Sequence, residues 1–186
     1  MSWAGSKVGA VTVRRREALV LRLRRQINYM RGKRVTRKLL PADPIYGNRL
    51  LTRLVNRVME RGKKRTAEAL VYRALDIIKE KGEDPIKVFE TAVTTIGPKM
   101  EVRSRRVGGA SYQVPTEVRG ERRVSLAIRW LVAFAHKRSN RELKTYADKL
   151  AVELMDAAKG LGEAVKKRDT IQRMAEANRA FAHFKW

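Results

Sequence analysis

Apolar residues recur at helical spacing through most of this chain, and one segment breaks the rhythm. After Asp43-Pro44, residues Leu50, Leu51, Leu54, Val55, Val58 and Met59 mark one face of a helix that Gly62 closes. Ala67, Leu70, Val71, Ala74, Leu75 and Ile78 follow as a second buried stripe. Lys79 and Lys81 complement the negative end of that helix, and Gly82 stops it. Asp84-Pro85 opens a third helix, the aspartate as N-cap and the proline in the first turn. Phe89, Ala92, Val93 and Ile96 form its stripe, and Gly97-Pro98 break it. Further on, Val124, Ala127, Ile128, Leu131, Phe134 and Ala135 predict a fourth helix. Leu143, Ala147, Leu150, Ala151, Leu154, Met155 and Ala158 predict a fifth, ended near Gly160 and Gly162. A last helix over about 163–180 is predicted from Ile171, Met174, Ala175 and Ala182.

The break in the rhythm spans residues 99–118. Val102, Val107, Val114, Val118 and Tyr112 are strand formers, and Gly108-Gly109 supply the unrestricted φ angles of a tight hairpin. Arg103, Arg105 and Arg106 crowd the first strand, while Pro115 confines the return strand to an edge or a bulge. Two readings stand: an ordinary hairpin packed on the helices with its arginines wet, or a narrow arm that enters an anionic groove. The scarcity of inward-facing apolar positions favours the arm. The predicted fold is mainly α, about six helices with one protruding two-stranded ribbon.

Charge decides the class of partner. The 186 residues hold 43 Lys and Arg against 19 Asp and Glu, a formal charge of +24. Such an excess repels itself and attracts polyanions; nucleic acid is the first candidate, because neutralising phosphates releases condensed counterions. An acidic membrane surface fits less well, since the cations are dispersed and no run of about 18 apolar residues exists. There is no cysteine, and His136 and His183 alone are too few for a metal centre. No phosphate-binding loop, dinucleotide fingerprint or nucleophile elbow is present, so no cofactor and no catalytic residue is predicted. An aromatic content of 6 % argues against a base-stacking sheet.

Four basic clusters are candidates. Arg61, Lys63, Lys64 and Arg65 surround Gly62 just before the second helix, where cations are unfavourable unless an anion is present. Arg119, Arg122 and Arg123 follow the ribbon, diluted by Glu117 and Glu121. Lys166, Lys167 and Arg168, continued by Arg173 and Arg179, line the last helix. Each is also readable as a solvated loop or face. The fourth is the N-terminus: the first 40 residues carry twelve Lys and Arg and a single acid, Glu17, around a short basic helix of Leu19, Val20, Leu21, Leu23 and Ile27. It reads as an arm that orders on RNA, a targeting peptide, or residues upstream of a true start at Met30. Trp130, Phe134 and Tyr146 are assigned to the core or its margins rather than to base stacking. Tyr112 is the aromatic expected at RNA, and His183 a polar contact. An architectural DNA-binding protein with a ribbon arm is the alternative, although a Gly-Gly apex lacks a wedge. An RNA-modifying enzyme is a distant third.

Long strings of this sequence carry a resemblance: GKKRTAEALVYRAL over 62–75, VRSRRVGGASYQVPTEV over 102–118, LAIRW over 126–130, MDAA over 155–158 and AVKKRDTIQRMAEANRAFAHFKW over 164–186. Through them, residues 41–186 strongly resemble the family of small-subunit ribosomal protein seven, in its bacterial or organellar form. The resemblance implies a six-helix bundle with a β-ribbon, no enzymatic activity, and direct binding to the 3′ major domain of small-subunit ribosomal RNA. It also implies nucleation of head assembly, a position beside exit-site transfer RNA and messenger RNA, and contacts with small-subunit proteins nine and eleven. It places the chain in a ribosome, bacterial and cytoplasmic or organellar.

By matching position, Arg103, Arg105, Arg106, Gly108 and Gly109 belong to the family's ribbon, and Lys63, Lys64 and Lys166 to Arg168 to its basic surfaces. Arg31, Lys33, Arg34, Arg37 and Lys38 match its arginine-rich opening, whereas residues 1–29 have no counterpart. The expected ribosomal-RNA set also includes Arg61, Arg65, Arg119, Arg122 and Arg123. The set expected near transfer and messenger RNA is Tyr112, Gln113, Lys166, Lys167, Arg168, Arg173, Arg179 and His183. Residues 1–40 form a basic extension and 41–186 a single helical domain.

Overall fold

The structure is a computed structural model that describes residues 39–184. The expectations on the basic N-terminal helix and on Arg31, Lys33, Arg34, Arg37 and Lys38 lie outside the described residues.

The first five helical stripes in the sequence become walls of a shared core; in the last helix Ala164 and Val165 fill that role, while Met174 and Ala182 of the expected stripe are exposed. Helix α1 spans Arg49–Val58, α2 Lys64–Glu80, α3 Pro85–Ile96, α4 Gly120–Lys137, α5 Tyr146–Ala158 and α6 Glu163–Ala177, with a 3-10 turn over Arg179–Phe184. Strands β1, Met100–Val107, and β2, Ala110–Glu117, separate α3 from α4. Helix α5 is the centre of the bundle, packed on α2, α3 and α4. Its Leu150, Ala151 and Leu154 are wholly buried against Leu54, Leu75, Phe89 and Leu131 from the surrounding helices. Burying one such Leu or Phe contributes on the order of 1.5–3 kcal/mol, so the fold rests on these stripes rather than on helix propensity.

Local chemistry sets the boundaries. Asp84 accepts from the Ile86 and Lys87 amides and Pro85 fills the first helical position, as expected for α3. Helix α5 starts later than its apolar pattern suggests. Thr145 and Asp148 form a capping box, the threonine hydroxyl accepting from the Asp148 amide and the carboxylate from the Thr145 amide, each at 3.2 Å. Leu143 is therefore left outside the helix. At the front, buried Asp43 accepts from the Ile45 and Tyr46 amides and from the Tyr72 hydroxyl at 2.7 Å, which fastens the leading loop to α2. Burial, together with that bond, pushes the Tyr72 hydroxyl up to about 12.

Two charged side chains are buried on α5, where the apolar stripe alone would not place them. Lys149 donates to the Arg138 carbonyl and to Asn140, closing the α4–α5 loop. Glu153, with no exposed surface, accepts from Arg138 Nε at 2.7 Å and from the Ala164 amide at 3.2 Å. One carboxylate thus joins the end of α4 to the first turn of α6.

The ribbon is antiparallel, with Val107 opposite Ala110, Arg105 opposite Tyr112, Arg103 opposite Val114 and Glu101 opposite Thr116. Its two-residue turn puts Gly108 at φ 57° and Gly109 at φ 91°, the left-handed conformation a tight hairpin demands. Side chains there strain the backbone by roughly 1–2 kcal/mol each. We expect Gly108→Ala with Gly109→Ala to speed hydrogen exchange of the β1–β2 amides while leaving those of α2 protected. Equal protection across the ribbon would show that the turn does not set its register.

Candidate nucleic-acid interface

The base of the ribbon is built on a carboxylate. Glu101 has a side chain only 10 % exposed, and it accepts from Arg103 Nε at 2.5 Å and from Arg122 Nε at 2.8 and 3.0 Å. Burial raises the pKa of this carboxyl, but the hydrogen bonds from Arg122 and Arg103 outweigh it and hold it below the ordinary range. The network is therefore intact at neutral pH, and its contribution disappears only as acid carries the pH down through that lowered value. About half of each arginine side chain remains in solvent. With Arg105 and Arg119 these two arginines line a cleft of about 750 Å³ between the ribbon and the start of α4. Neither Arg105 nor Arg119 has a partner among the described residues. Strand alternation sends Arg106 to the opposite face from Arg103 and Arg105, so the ribbon presents cations on both sides.

The ribbon is not detached from the body. Val114 is fully buried, and the Tyr112 ring packs at 5.3 and 5.1 Å from Phe181 and Phe184 of the 3-10 turn. Tyr112, the aromatic expected at RNA, thus also packs on the turn that follows α6. Gln113 and Val102 face a second groove of about 520 Å³, shared with Trp130, Ile171 and Met174. His183 is exposed beside Phe184, its Nδ1 within 2.8 Å of the Ala180 carbonyl.

The basic loop before α2 is exposed throughout. Arg61 at φ 50° and Gly62 at φ 75° are consecutive left-handed residues, and α2 then begins with no side-chain cap and no acid in its first turn. Lys64 leans on Glu68 at 3.5 Å; Arg61, Lys63 and Arg65 have no partner among the described residues. Lys63 borders a cleft of about 640 Å³ between α1, α2 and α4, floored by Ala67, Leu70, Val132 and Tyr146 and rimmed by Arg57, Arg129 and Lys137. Burial and the nearby Glu60 push the Tyr146 hydroxyl up to about 12. Arg122 and Arg129 stand seven residues apart on α4, roughly 10 Å along its axis and on nearly the same face, so α4 links the two basic clefts.

Other predicted cations make contacts within the fold. Arg123 donates to the Gly97 carbonyl at 3.0 Å and Arg168 to the Thr95 carbonyl at 2.7 Å, so both cover the carboxyl end of α3. A Cβ at Gly97 would stand 2.8 Å from the Arg123 side chain, which explains glycine there. Arg168 also holds Asp169, and Lys166 pairs with Glu163 at 2.7 Å. Lys167, Arg173 and Arg179 are exposed along α6 and the turn after it. Sequence reasoning missed Arg57 and Lys137 at the apolar cleft and Glu101 under the ribbon. Glu101 alone left a signal, an acid alternating with arginines on one strand. Among the described residues no three His, Cys, Asp or Glu side chains are gathered as a metal site, and no helix is long and apolar enough to cross a membrane.

The helical body thus carries a cationic ribbon and a basic helix-start loop, and sequence comparison assigns the family. The family model of ribosomal protein S7p/S5e matches residues 29–179. This chain belongs to that family. Membership makes it a ribosomal protein rather than an enzyme. It is 57 % identical over 157 residues to the small ribosomal subunit protein uS7 of Carboxydothermus hydrogenoformans, covering 84 % of this chain and 98 % of the relative. The proteins of the same name from Geotalea daltonii and Thermomicrobium roseum are 53 % and 52 % identical, each over 84 % of this chain and 99 % of their own length.

Proposed function

We propose that this chain is a structural component of the small ribosomal subunit that binds the 3′ major domain of its RNA directly and nucleates assembly of the subunit head. The observation that carries this reading is a family match spanning both exposed basic elements, the ribbon and the loop before α2. The helices form a stiff body, and the cations neutralise phosphates of RNA helices that would otherwise repel one another. Junction geometry then becomes fixed, and later proteins meet a preformed surface. Recognition depends on RNA shape more than on base sequence.

Within this reading, Arg105, Arg106, Arg119, Arg61, Lys63 and Arg65 are the principal phosphate contacts, with Arg103 and Arg122 held in place beside them. Arg31 to Lys38 extend the contact. The ribbon tip and the Lys167, Arg173 and Arg179 surface border exit-site transfer RNA and messenger RNA, and small-subunit proteins nine and eleven are neighbours. The ribosome concerned is bacterial and cytoplasmic, or organellar.

Binding to an RNA fragment of the head domain should weaken steeply with salt. Neutralising about 6–10 phosphates gives a log–log slope of several units. A flat titration, or preference for duplex DNA over the folded RNA, overturns the proposal.

A further inference from the structure

An acid at the base of a cationic RNA-binding ribbon is electrostatically unfavourable, and its placement calls for an explanation. Glu101 is no peripheral counter-charge: its residue is 8 % exposed, and its two oxygens take the Nε–H groups of arginines from different elements, Arg103 on β1 and Arg122 on α4. Arg103 is held through Nε and Nη2 and Arg122 through Nε, so each guanidinium is fixed in plane and still turns Nη1 outward as a donor. Both arginines line the same cleft as Arg105 and Arg119. Freely rotating arginines would have to be ordered when RNA arrives, whereas these two are ordered beforehand. Arg119 is also the N-cap position of α4, which starts without a side-chain cap, so backbone donors lie at the same rim.

We propose that Glu101 is a positioning residue which, through Arg103 and Arg122, pre-forms a four-arginine clamp for an RNA backbone phosphate at the junction of ribbon and helix α4. The clamp rests on the reading of the chain as an RNA-binding protein and adds the residue that organises the contact. It also separates two effects that bulk charge would merge. Removing an acid raises the net charge and by long-range attraction alone tightens RNA binding. Loss of the clamp works the other way, because two long side chains then pay their ordering cost on binding.

The test compares the full chain with its Glu101→Gln variant on the head-domain RNA fragment, with affinity and salt slope measured together. We expect Glu101→Gln to bind about tenfold more weakly, with the slope kept, since no cation is removed. In an Arg103→Ala, Arg122→Ala background the same substitution should weaken nothing, which a double-mutant cycle reads as coupling. Should Glu101→Gln fail to fold, the Arg103→Lys, Arg122→Lys chain carries the test: both charges remain, the planar forks are lost, and a similar weakening is expected. Glu101→Gln binding as tightly as the parent or more tightly, equal weakening in the double-alanine background, or an unaffected double-lysine chain overturns the clamp. Parent protein that does not bind the RNA would instead overturn the functional reading on which it rests.

Discussion

Glu153→Ala is expected to lower folding stability by about 3 kcal/mol, at the lower edge of the range for breaking a buried ion pair. The carboxylate has no exposed surface, and three neighbours depend on it. Arg138 loses one of its two acceptors and keeps Asp156. The Ala164 amide, in the first turn of α6, loses its hydrogen-bond partner. Gly162 packs against the same side chain, so closely that a Cβ added there would stand 3.1 Å from Glu153 Oε1, and truncation also leaves a void. For a chain of this size the thermal midpoint should fall by roughly 6–12 °C. Calorimetry checks it, and a fall of less than about 2 °C would mean that Asp156 and solvent replace the lost contacts. Because α6 is anchored there, its amides should lose hydrogen-exchange protection before those of α2.

Replacing Arg105 and Arg106 together with Ala is expected to weaken head-domain RNA binding by roughly 100-fold, taking each charge-assisted phosphate contact at its lower value. The salt slope should fall by about two, one for each lost contact. Neither guanidinium has a partner among the described residues, and the two lie on opposite faces of the ribbon. Stability should therefore shift by no more than about 0.5 kcal/mol. Arg103 is left in place because its removal also disturbs Glu101, which would mix a folding effect with a binding effect. Paired binding and thermal-melt measurements decide the matter. A large loss of folding cooperativity with affinity retained would assign these arginines to the architecture of the ribbon.

The helical stripes, the Asp84-Pro85 start of α3 and the Gly108-Gly109 turn were legible in the sequence because each depends on neighbours a few residues away. The late start of α5 was also written locally, in Thr145 and Asp148, but the apolar spacing from Leu143 onward masked it. The employment of Arg123 and Arg168 was not legible. Their carbonyl partners lie 26 and 73 residues away, and a cation run reads the same whether it faces RNA or covers a helix end. Glu101 was hidden for a related reason: a single acid among arginines looks like dilution until its burial and its contact with Arg122, 21 residues on, are seen. Charge composition therefore pointed to the class of partner, while the cations that fasten one element to another were visible only in the fold.

The tilted packing of Tyr112 against Phe181 and Phe184 gives the ribbon a built-in reporter. Protons of a ring held 5.1–5.3 Å from two others experience their magnetic anisotropy, so the Tyr112 resonances should sit away from free-tyrosine positions. Their return toward those positions would register any lifting of the hairpin from the carboxyl end, observable in solution without a label.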